Sequence, residues 1–272
     1  MVTESLDDDS ELSNILKNIE GLESIYLYTL SSVFQEDPDL IKSIFLEMTK
    51  VKWENLHIHI SEEYQNSIQI ISKEIIEDER VKKLLTLIFL RDHSTLVHSV
   101  NTMVLCMIHC FNNFGKFSEV EKTKEISIAA LMHDIGKIDI DPTLLRTPFK
   151  LSDKQFEKIK RHPKVGYEIL KELKFSEVIC DVALCHHERL DGTGYPYGKL
   201  KSEISYWSRF VSATDIFEAM TSWRPYKTSK TVDVAIEEIK RQVGIGKIDK
   251  DIFECLKDTI ILKDSDIECF DG

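Results

Sequence analysis

Histidines, alone or in pairs, recur along the chain together with aspartates at spacings of 24 to 35 residues. The members of this set are His98, His133, Asp134, His162, His186, His187 and Asp215. Five imidazoles and two carboxylates exceed the four ligands that a single zinc ion usually takes. Such a mixed set suits two ions that share one carboxylate, and iron or manganese fits these ligands at least as well as zinc. Two bound ions could activate water for attack on a phosphodiester.

Turn-forming residues place several of these candidates where helices end. His186 and His187 lead into the loop 191–196, whose glycines and proline do not continue a helix. Two adjacent imidazoles converge more easily where the backbone leaves a helix, because neighbouring helical residues point about 100° apart. His162 precedes Pro163, which disfavours helical geometry at His162 and starts a new helix. We therefore expect these side chains to point into a shared cleft.

The remaining members of the set lie in or at the end of apolar helices. Asp215 stands in the middle of 206–220, a stretch that is apolar almost all round and is therefore predicted to be a buried helix. A lone buried carboxylate must be protonated, paired or bound to a metal. His98 lies beside the apolar stripe of a predicted helix at 95–111, and His109 would be roughly 16 Å further along it. At most one of these two histidines can therefore be a ligand.

The hydrophobic pattern predicts helices throughout the chain. One is expected from 67 to 91, followed by a break at 92–94, and two more are expected within 232–261. Capping boxes begin at Ser118 and Ser152. The chain has 10 glycines and 6 prolines, which is few for its length. We predict an all-α fold, a helical bundle.

Residues 1–70 are predicted to form a small helical segment, and residues 71–272 the domain that carries the chemistry. His57 and His59 in the first segment are two residues apart and do not share a helical face. No candidate catalytic group is found there. The role of residues 1–70 stays open, and they are candidates for a homodimer contact or for binding a signalling partner.

Composition narrows the classes of function. The 272-residue chain has a net charge of −12, which argues against a nucleic-acid polymer as partner but not against a small anion in a local basic pocket. No secretory signal is expected in 1–10, and the strongest apolar run, 84–90, is too short to span a membrane. The six cysteines include no Cys-x-x-Cys pair and are expected to be thiols in the cytoplasm.

The ordered motifs resemble those of the HD-GYP family of cyclic di-GMP phosphodiesterases, a branch of the HD metal-dependent phosphohydrolases. The resemblance covers about 92–256 and rests on His98-Ser99, on 133–137 (HDIGK), on 159–163 (IKRHP), on 186–196 (HHERLDGTGYP), on Asp215 and on 219–227 (AMTSWRPYK). A His-Asp pair alone is a weak signal, whereas this ordered set is specific. The resemblance implies an all-helical domain around a metal cluster that hydrolyses cyclic di-GMP to linear pGpG, and whether hydrolysis continues to GMP stays open.

The resemblance also implies roles for individual residues. One ion would be held by His98, His133, Asp134 and Asp215. The other would be held by Asp134, His162, His186 and His187, with Asp134 bridging the two. Iron is expected first and manganese next. Lys137 would lie near the scissile phosphate as a catalytic cation, and the residues expected to contact the ligand are Arg224, Lys227, Asp191 and Tyr195. For Asp191, scaffolding of the loop is an equally good interpretation.

The chain departs from the family pattern at two informative positions. Ser94 stands where members with a third ion carry a glutamate, one turn before His98, so two ions are predicted. Lys227 stands where many members have arginine. Two alternatives to the leading function stay open: a cyclic-dinucleotide-binding signalling module with little turnover, and a hydrolase of another cyclic dinucleotide, since nothing in the sequence fixes guanine.

Overall fold

The computed structural model describes residues 39–50, 61–114, 119–147, 149–222 and 229–260. Within these ranges the regular elements are helices, and the only strand-like pairing is a single bridge between Asp191 and Leu200. The prediction of an all-α fold is therefore confirmed.

The helices are α1 (Leu40–Thr49), α2 (Glu62–Ile76), α3 (Glu79–Arg91), α4 (His93–Phe114), α5 (Val120–Met132), α6 (Pro142–Leu145), α7 (Asp153–Ile159), α8 (His162–Glu172), α9 (Glu177–Cys185), α10 (Tyr206–Thr221), α11 (Val232–Gly244) and α12 (Lys250–Ile260). Two short 3₁₀ helices, Ile135–Asp139 and Lys201–Glu203, connect α5 to α6 and lead into α10.

Helix α4 is the centre of the bundle. It packs against α5, α10, α3 and α12, and nearly all of its apolar residues, such as Met103 and Leu105, are fully buried. In the described part of the chain one segment, His93–Asn113 within α4, is long and apolar enough to cross a membrane, by length and composition only. Since 83% of its most apolar window is buried inside the molecule, the segment has the character of a core helix.

The helix expected over 67–91 is two helices. Glu77 and Asp78 interrupt it, and the Asp78 carboxylate accepts a hydrogen bond of 2.9 Å from the backbone N–H of Arg80, which caps α3. The apolar pattern explains the break between the two helices, because Ile75 and Val81 are six residues apart and would face different sides of one continuous helix. The capping box at Ser152 is confirmed, and it starts α7.

The N-terminal part of the described structure packs onto the bundle. Ile41 and Phe45 of α1 belong to the same buried apolar cluster as the core of α4. The boundary predicted between residues 70 and 71 falls inside α2. The helices expected within 1–34, together with His57, His59 and the capping residue Ser118, lie outside the described residues.

Candidate metal centre

The fold delivers the seven candidate ligands from five places in the chain to one cleft. His98 projects from α4, and Asp215 projects from α10. His133 and Asp134 stand where α5 ends, His162 opens α8, and His186 and His187 follow the last turn of α9. The helix ends predicted at these positions are thus confirmed.

Gly136 brings two of these places together. A Cβ atom at Gly136 would lie 2.0 Å from the backbone oxygen of His162 and 2.6 Å from the backbone nitrogen of Gly166. The 3₁₀ helix after Asp134 can therefore touch the start of α8 only with glycine at this position.

One half of the cluster surrounds Nε2 of His98. This atom lies 3.2 Å from Nε2 of His133, 3.0 Å from Oδ1 of Asp215 and 3.6 Å from Oδ2 of Asp134. Nε2 of His133 lies 3.4 Å from the same Asp134 oxygen and 4.0 Å from Asp215 Oδ1. One ligand atom from each of His98, His133 and Asp134 lies within 4.8 Å of the others, close enough to share one ion, and Asp215 adjoins this group through its contact with His98.

The other half surrounds the second oxygen of Asp134. Its Oδ1 lies 3.2 Å from Nε2 of His162 and 3.6 Å from Nε2 of His186, and these two ring nitrogens are themselves 3.2 Å apart. The His187 ring lies 4.1 Å from the His186 ring and 5.0 Å from the His162 ring, measured between centroids. One ligand atom from each of these four residues falls within 4.8 Å of the others.

Backbone carbonyls fix which ring nitrogen of His133 and of His162 carries the proton. Nδ1 of His133 lies 2.7 Å from the oxygen of Ala130, and Nδ1 of His162 lies 2.7 Å from the oxygen of Ile159. A carbonyl oxygen only accepts, so each Nδ1 is the donor. In a neutral ring Nε2 is then the acceptor, and it points into the cluster as a metal-ligating nitrogen does.

This arrangement fits a divalent cation. Nε2 of His162 and Nε2 of His186 meet with their lone pairs facing each other, since Nδ1 of His186 also points at a carbonyl, 3.0 Å away on Ala183. Oδ1 of Asp134 is buried and has no hydrogen-bond donor. Buried acceptors that face only acceptors are costly unless a cation lies between them.

The electrostatics of the cluster favour the ligating forms of most of its members. Burial would raise the pKa of Asp134, but Lys137 and His133 outweigh burial and hold that pKa well below its usual value. Burial lowers the pKa of His186 to about 4 and that of His187 well below 6.5, so both rings are neutral at pH 7. Neutral imidazoles and ionised carboxylates are the forms that bind metals.

His98 differs from the other rings. Burial favours its neutral form, but the carboxylates of Glu218 and Asp215 outweigh burial and raise its pKa to about 9. Without metal, this ring therefore carries a proton at pH 7 on the nitrogen that faces Asp215. A metal ion bound at this position would replace that proton.

Lys137 lies beside the Asp134 carboxylate. Its ammonium group donates a hydrogen bond to Oδ2 of Asp134, the oxygen shared with His98 and His133. One fifth of the Lys137 side chain is exposed, so it also faces the open side of the cleft. A cation at this position can contact a bound phosphate.

The loop 191–196, which follows the histidine pair, folds back over the candidate ligands. Gly194 lies so close to the preceding turn that a Cβ atom there would meet the backbone of Glu188 and Arg189 at 2.4 Å. The Tyr195 ring packs 4.7 Å from the His187 ring. Burial raises the pKa of Tyr195 above its usual value, so the phenol keeps its proton. Tyr195 therefore covers the metal ligands on this side and offers a hydrogen-bond donor.

Two residues that the sequence analysis did not single out hold this loop. The buried Glu188 carboxylate accepts hydrogen bonds from the backbone of Tyr197 at 2.8 Å and of Lys199 at 3.0 Å. Arg189 donates to Ser212 Oγ on α10 at 2.7 Å and to the backbone oxygen of Glu188 at 2.8 Å. The only signal in the sequence was their place directly after the histidine pair.

Three of the predicted ligand contacts stay predictions. The exposed Asp191 carboxylate accepts hydrogen bonds from the N–H of Thr193 at 3.0 Å and from its hydroxyl at 2.7 Å, which is the geometry of a loop turn. This favours scaffolding, and a contact of Asp191 with ligand stays a prediction. Arg224 and Lys227 lie outside the described residues, and their phosphate contacts stay predictions as well.

Two further titratable residues considered as candidates have other partners. His109 packs against the Phe210 ring with 3.8 Å between centroids, and its Nε2 lies 3.0 Å from the Tyr206 hydroxyl. Asp92 caps α4, where its carboxylate accepts from Thr95 N at 3.0 Å and from Arg146 Nε at 3.1 Å. His109 is thus a core residue, and Asp92 is an occupied capping group.

An all-helical bundle that gathers buried histidines and aspartates at helix ends is the architecture of the HD phosphohydrolases. The chain belongs to the HD domain family, whose model matches residues 89–252. The prediction that it falls in the HD-GYP branch is confirmed by the relatives it matches.

Two curated relatives illustrate the likeness. Over 126 residues the chain is 41% identical to the cyclic di-GMP phosphodiesterase response regulator of Xanthomonas campestris, a match covering 46% of this chain and 33% of that protein. Over 162 residues it is 33% identical to a 3′3′-cGAMP-specific phosphodiesterase of Vibrio cholerae, covering 60% of this chain and 37% of that protein. The chain thus spans about a third of the length of these relatives.

A solved structure shares the fold. An HDG"Y"P protein from Bdellovibrio bacteriovorus matches with a TM-score of 0.54 and 17% identity, over 92% of this chain and 76% of that one. At this level of identity the likeness describes the arrangement of helices and nothing further.

Proposed function

We propose that this chain is a metal-dependent phosphodiesterase that hydrolyses cyclic di-GMP to linear pGpG. The observation that carries the proposal is the Asp134 carboxylate, whose two oxygens face two separate sets of ring nitrogens. Such a carboxylate suits two divalent ions, iron first and manganese next. When bound, the ions supply Lewis acidity and a water of lowered pKa.

The protein's own groups supply the rest of the chemistry. Asp134 orients both halves of the site, and Lys137 beside it offers a positive charge to the phosphate oxygens as negative charge develops on them. Tyr195 excludes water above His187 and offers a donated hydrogen bond to a ligand in the cleft. Arg224 and Lys227 are proposed to hold the ligand's phosphates as a fork and as a point charge.

The substrate proposed here has one specific alternative, a cyclic dinucleotide in which the second base differs. Curated relatives include enzymes named for cyclic di-GMP and enzymes named for 3′3′-cGAMP. Hydrolysis of 3′3′-cGAMP is therefore the second candidate activity. In both molecules the scissile group is a phosphodiester, so the same metal centre would serve either one.

The test is turnover of a panel of cyclic dinucleotides. Protein stripped with chelator is loaded anaerobically with Fe²⁺ or Mn²⁺ and incubated with cyclic di-GMP, 3′3′-cGAMP and cyclic di-AMP, and the products are separated by chromatography. We expect linear pGpG from cyclic di-GMP, and no product without metal. Two histidine variants give a matched comparison: His162→Gln should lose turnover, and His93→Gln, at an exposed position outside the cluster, should keep it.

Binding of cyclic di-GMP without any product in the metal-loaded protein would contradict the proposed reaction and favour the binding-module alternative. Faster hydrolysis of 3′3′-cGAMP than of cyclic di-GMP would mean that 3′3′-cGAMP is the substrate. The proposed reaction, metal-dependent hydrolysis of a cyclic dinucleotide, would stand.

A further inference from the structure

Glu218 is a fully buried carboxylate that contacts a metal ligand and is not itself in either half of the cluster. It lies on α10, three residues after Asp215, and its side chain points towards α4. Its Oε2 accepts a hydrogen bond from Nδ1 of His98. One helical turn of α10 therefore supplies both a candidate ligand, Asp215, and the group that holds another candidate ligand, His98.

The second oxygen of Glu218 is also occupied. Oε1 accepts hydrogen bonds from Asn101 Nδ2 at 2.7 Å and from Ser222 Oγ at 2.5 Å. With donors on both oxygens the carboxylate cannot rotate without losing a bond, so it fixes the plane of the His98 ring. The contact also keeps Glu218 ionised. Burial alone would raise the pKa of Glu218, but the charge and the hydrogen bond of His98 outweigh burial and lower that pKa to about 2.

In three of the other candidate ligand histidines, Nδ1 donates to a neutral backbone carbonyl. The oxygens of Ala130, Ile159 and Ala183 accept from His133, His162 and His186 at 2.7, 2.7 and 3.0 Å. A carboxylate partner carries a full negative charge. It draws the Nδ1 proton more strongly and leaves more electron density on Nε2, the nitrogen that faces the metal.

The two halves of the cluster also differ in charge. The half around His98 contains Asp215 and one oxygen of Asp134, with Glu218 directly behind the ring, and Lys137, which donates to that Asp134 oxygen, offsets part of this negative charge. The half around His162 contains the other Asp134 oxygen and otherwise only imidazoles. A divalent cation is therefore attracted more strongly to the His98 half.

We propose that Glu218 is a positioning residue that makes the His98 half the tighter of the two metal positions, so that this half fills first. The inference rests on the metal centre of the proposed function, but it concerns the order and affinity of metal binding and is independent of the substrate. A purely structural Glu218 would stabilise the bundle without favouring one position over the other.

The experiment is calorimetric titration of chelator-stripped protein with Mn²⁺ alone. The native chain should show two binding events of different affinity. Glu218→Gln keeps the volume and an acceptor for Nδ1 but removes the charge, and it should weaken the tighter event about 10–100-fold while leaving the weaker event unchanged. Asn101→Ala, which removes one donor from Oε1, should weaken the same event by a smaller factor.

Asp249→Asn is the matched control. Asp249 is also a buried carboxylate, but it pairs with Arg209 and Lys201 away from the cluster. It should lower the thermal midpoint of unfolding and leave both Mn²⁺ events unchanged. His187→Ala assigns the events, because it should remove the weaker one and keep the tighter one.

Equal weakening of both events in Glu218→Gln, or no change in either, would overturn the role of Glu218 while leaving the proposed function standing. Should Glu218→Gln fail to fold, Asn101→Ala decides the question by the same criterion. A native chain that binds no Mn²⁺ would overturn the metal centre and the proposed function together.

Discussion

Oδ1 of Asp134 and Nε2 of His162 lie 3.2 Å apart, buried, and in the neutral form of the ring no proton lies between them. The ring's proton is on Nδ1, where it is donated to the Ile159 carbonyl, and Asp134 is ionised because its pKa is held well below the usual value. Two acceptors at this distance repel each other in a buried site. The metal-free chain is therefore locally destabilised, and a cation would relieve the repulsion.

Metal should for this reason stabilise the fold, through Asp134. A divalent ion at about 100 times its Kd should add roughly 2.7 kcal/mol to the free energy of unfolding. Asp134→Ala should remain folded, gain nothing from metal and lose turnover. Urea unfolding with Mn²⁺ and with chelator measures this difference. A variant that keeps the full metal-induced stabilisation would show that Asp134 does not bridge the centre.

Lys137 should matter for turnover and not for holding metal. Lys137→Met removes the cation next to the phosphate site, and a loss of about 10²–10³-fold in kcat is expected. Because the ammonium group competes with metal for Oδ2 of Asp134, metal affinity should be equal or higher. Kinetics and Mn²⁺ titration on the same preparation separate the two effects. Loss of metal together with activity would place Lys137 in the structure of the centre instead.

Gly136 should tolerate no side chain. Gly136→Ala would push the backbone of His162 away from Asp134, since no space exists for the Cβ atom, and metal binding should be lost with a destabilisation of a few kcal/mol. Gly244→Ala is the matched control: nothing lies within 4 Å of its Cβ position, and alanine favours the helix by up to about 1 kcal/mol. Metal content and thermal unfolding of both variants provide the test. Normal metal content in Gly136→Ala would contradict this account of the contact.

His109 should make the protein sensitive to acid. Burial lowers its pKa to about 4, whereas an unfolded histidine titrates near 6.5. Between these values the unfolded chain binds the extra proton, so this contribution is present above about pH 6.5 and is lost as the pH falls towards 4. It amounts to about 3 kcal/mol.

Comparison of urea unfolding at pH 7.5 and pH 5, with chelator present, should show a smaller pH dependence for His109→Gln than for the native chain. The slope is the readout, because the variant can differ in absolute stability for reasons of packing. An identical slope for the two chains would mean that His109 takes up its proton at the same pH in the folded and the unfolded chain.

The places of the candidate ligands at helix ends were predictable from the sequence because helix ends leave local marks. Pro163 after His162 and the glycine-rich loop after His187 are visible without a structure, and both positions are helix ends in the fold. The break between α2 and α3 was missed although the spacing from Ile75 to Val81 indicated it, because the pattern on either side is helical.

Glu218 could not be found in this way. Its partners Asn101 and His98 are 117 and 120 residues away in the chain, so their contacts depend on the packing of α10 against α4. A glutamate three residues after Asp215 has no distinctive local signal, since helices commonly carry acids at that spacing. The carbonyl partners that fix the histidine tautomers depend on side-chain geometry in the same way.

Whether Asp134 bridges two divalent ions can be seen by anomalous diffraction from crystals of anaerobically prepared protein, recorded at the iron and manganese edges. We expect two peaks, one beside each oxygen of Asp134, with His98 on one side and His162 on the other. No third ion is expected, because Ser94 lacks a carboxylate and Asp92 already caps α4. A single peak, or a third one bound through Asp92, would show that Asp134 does not bridge a two-ion centre.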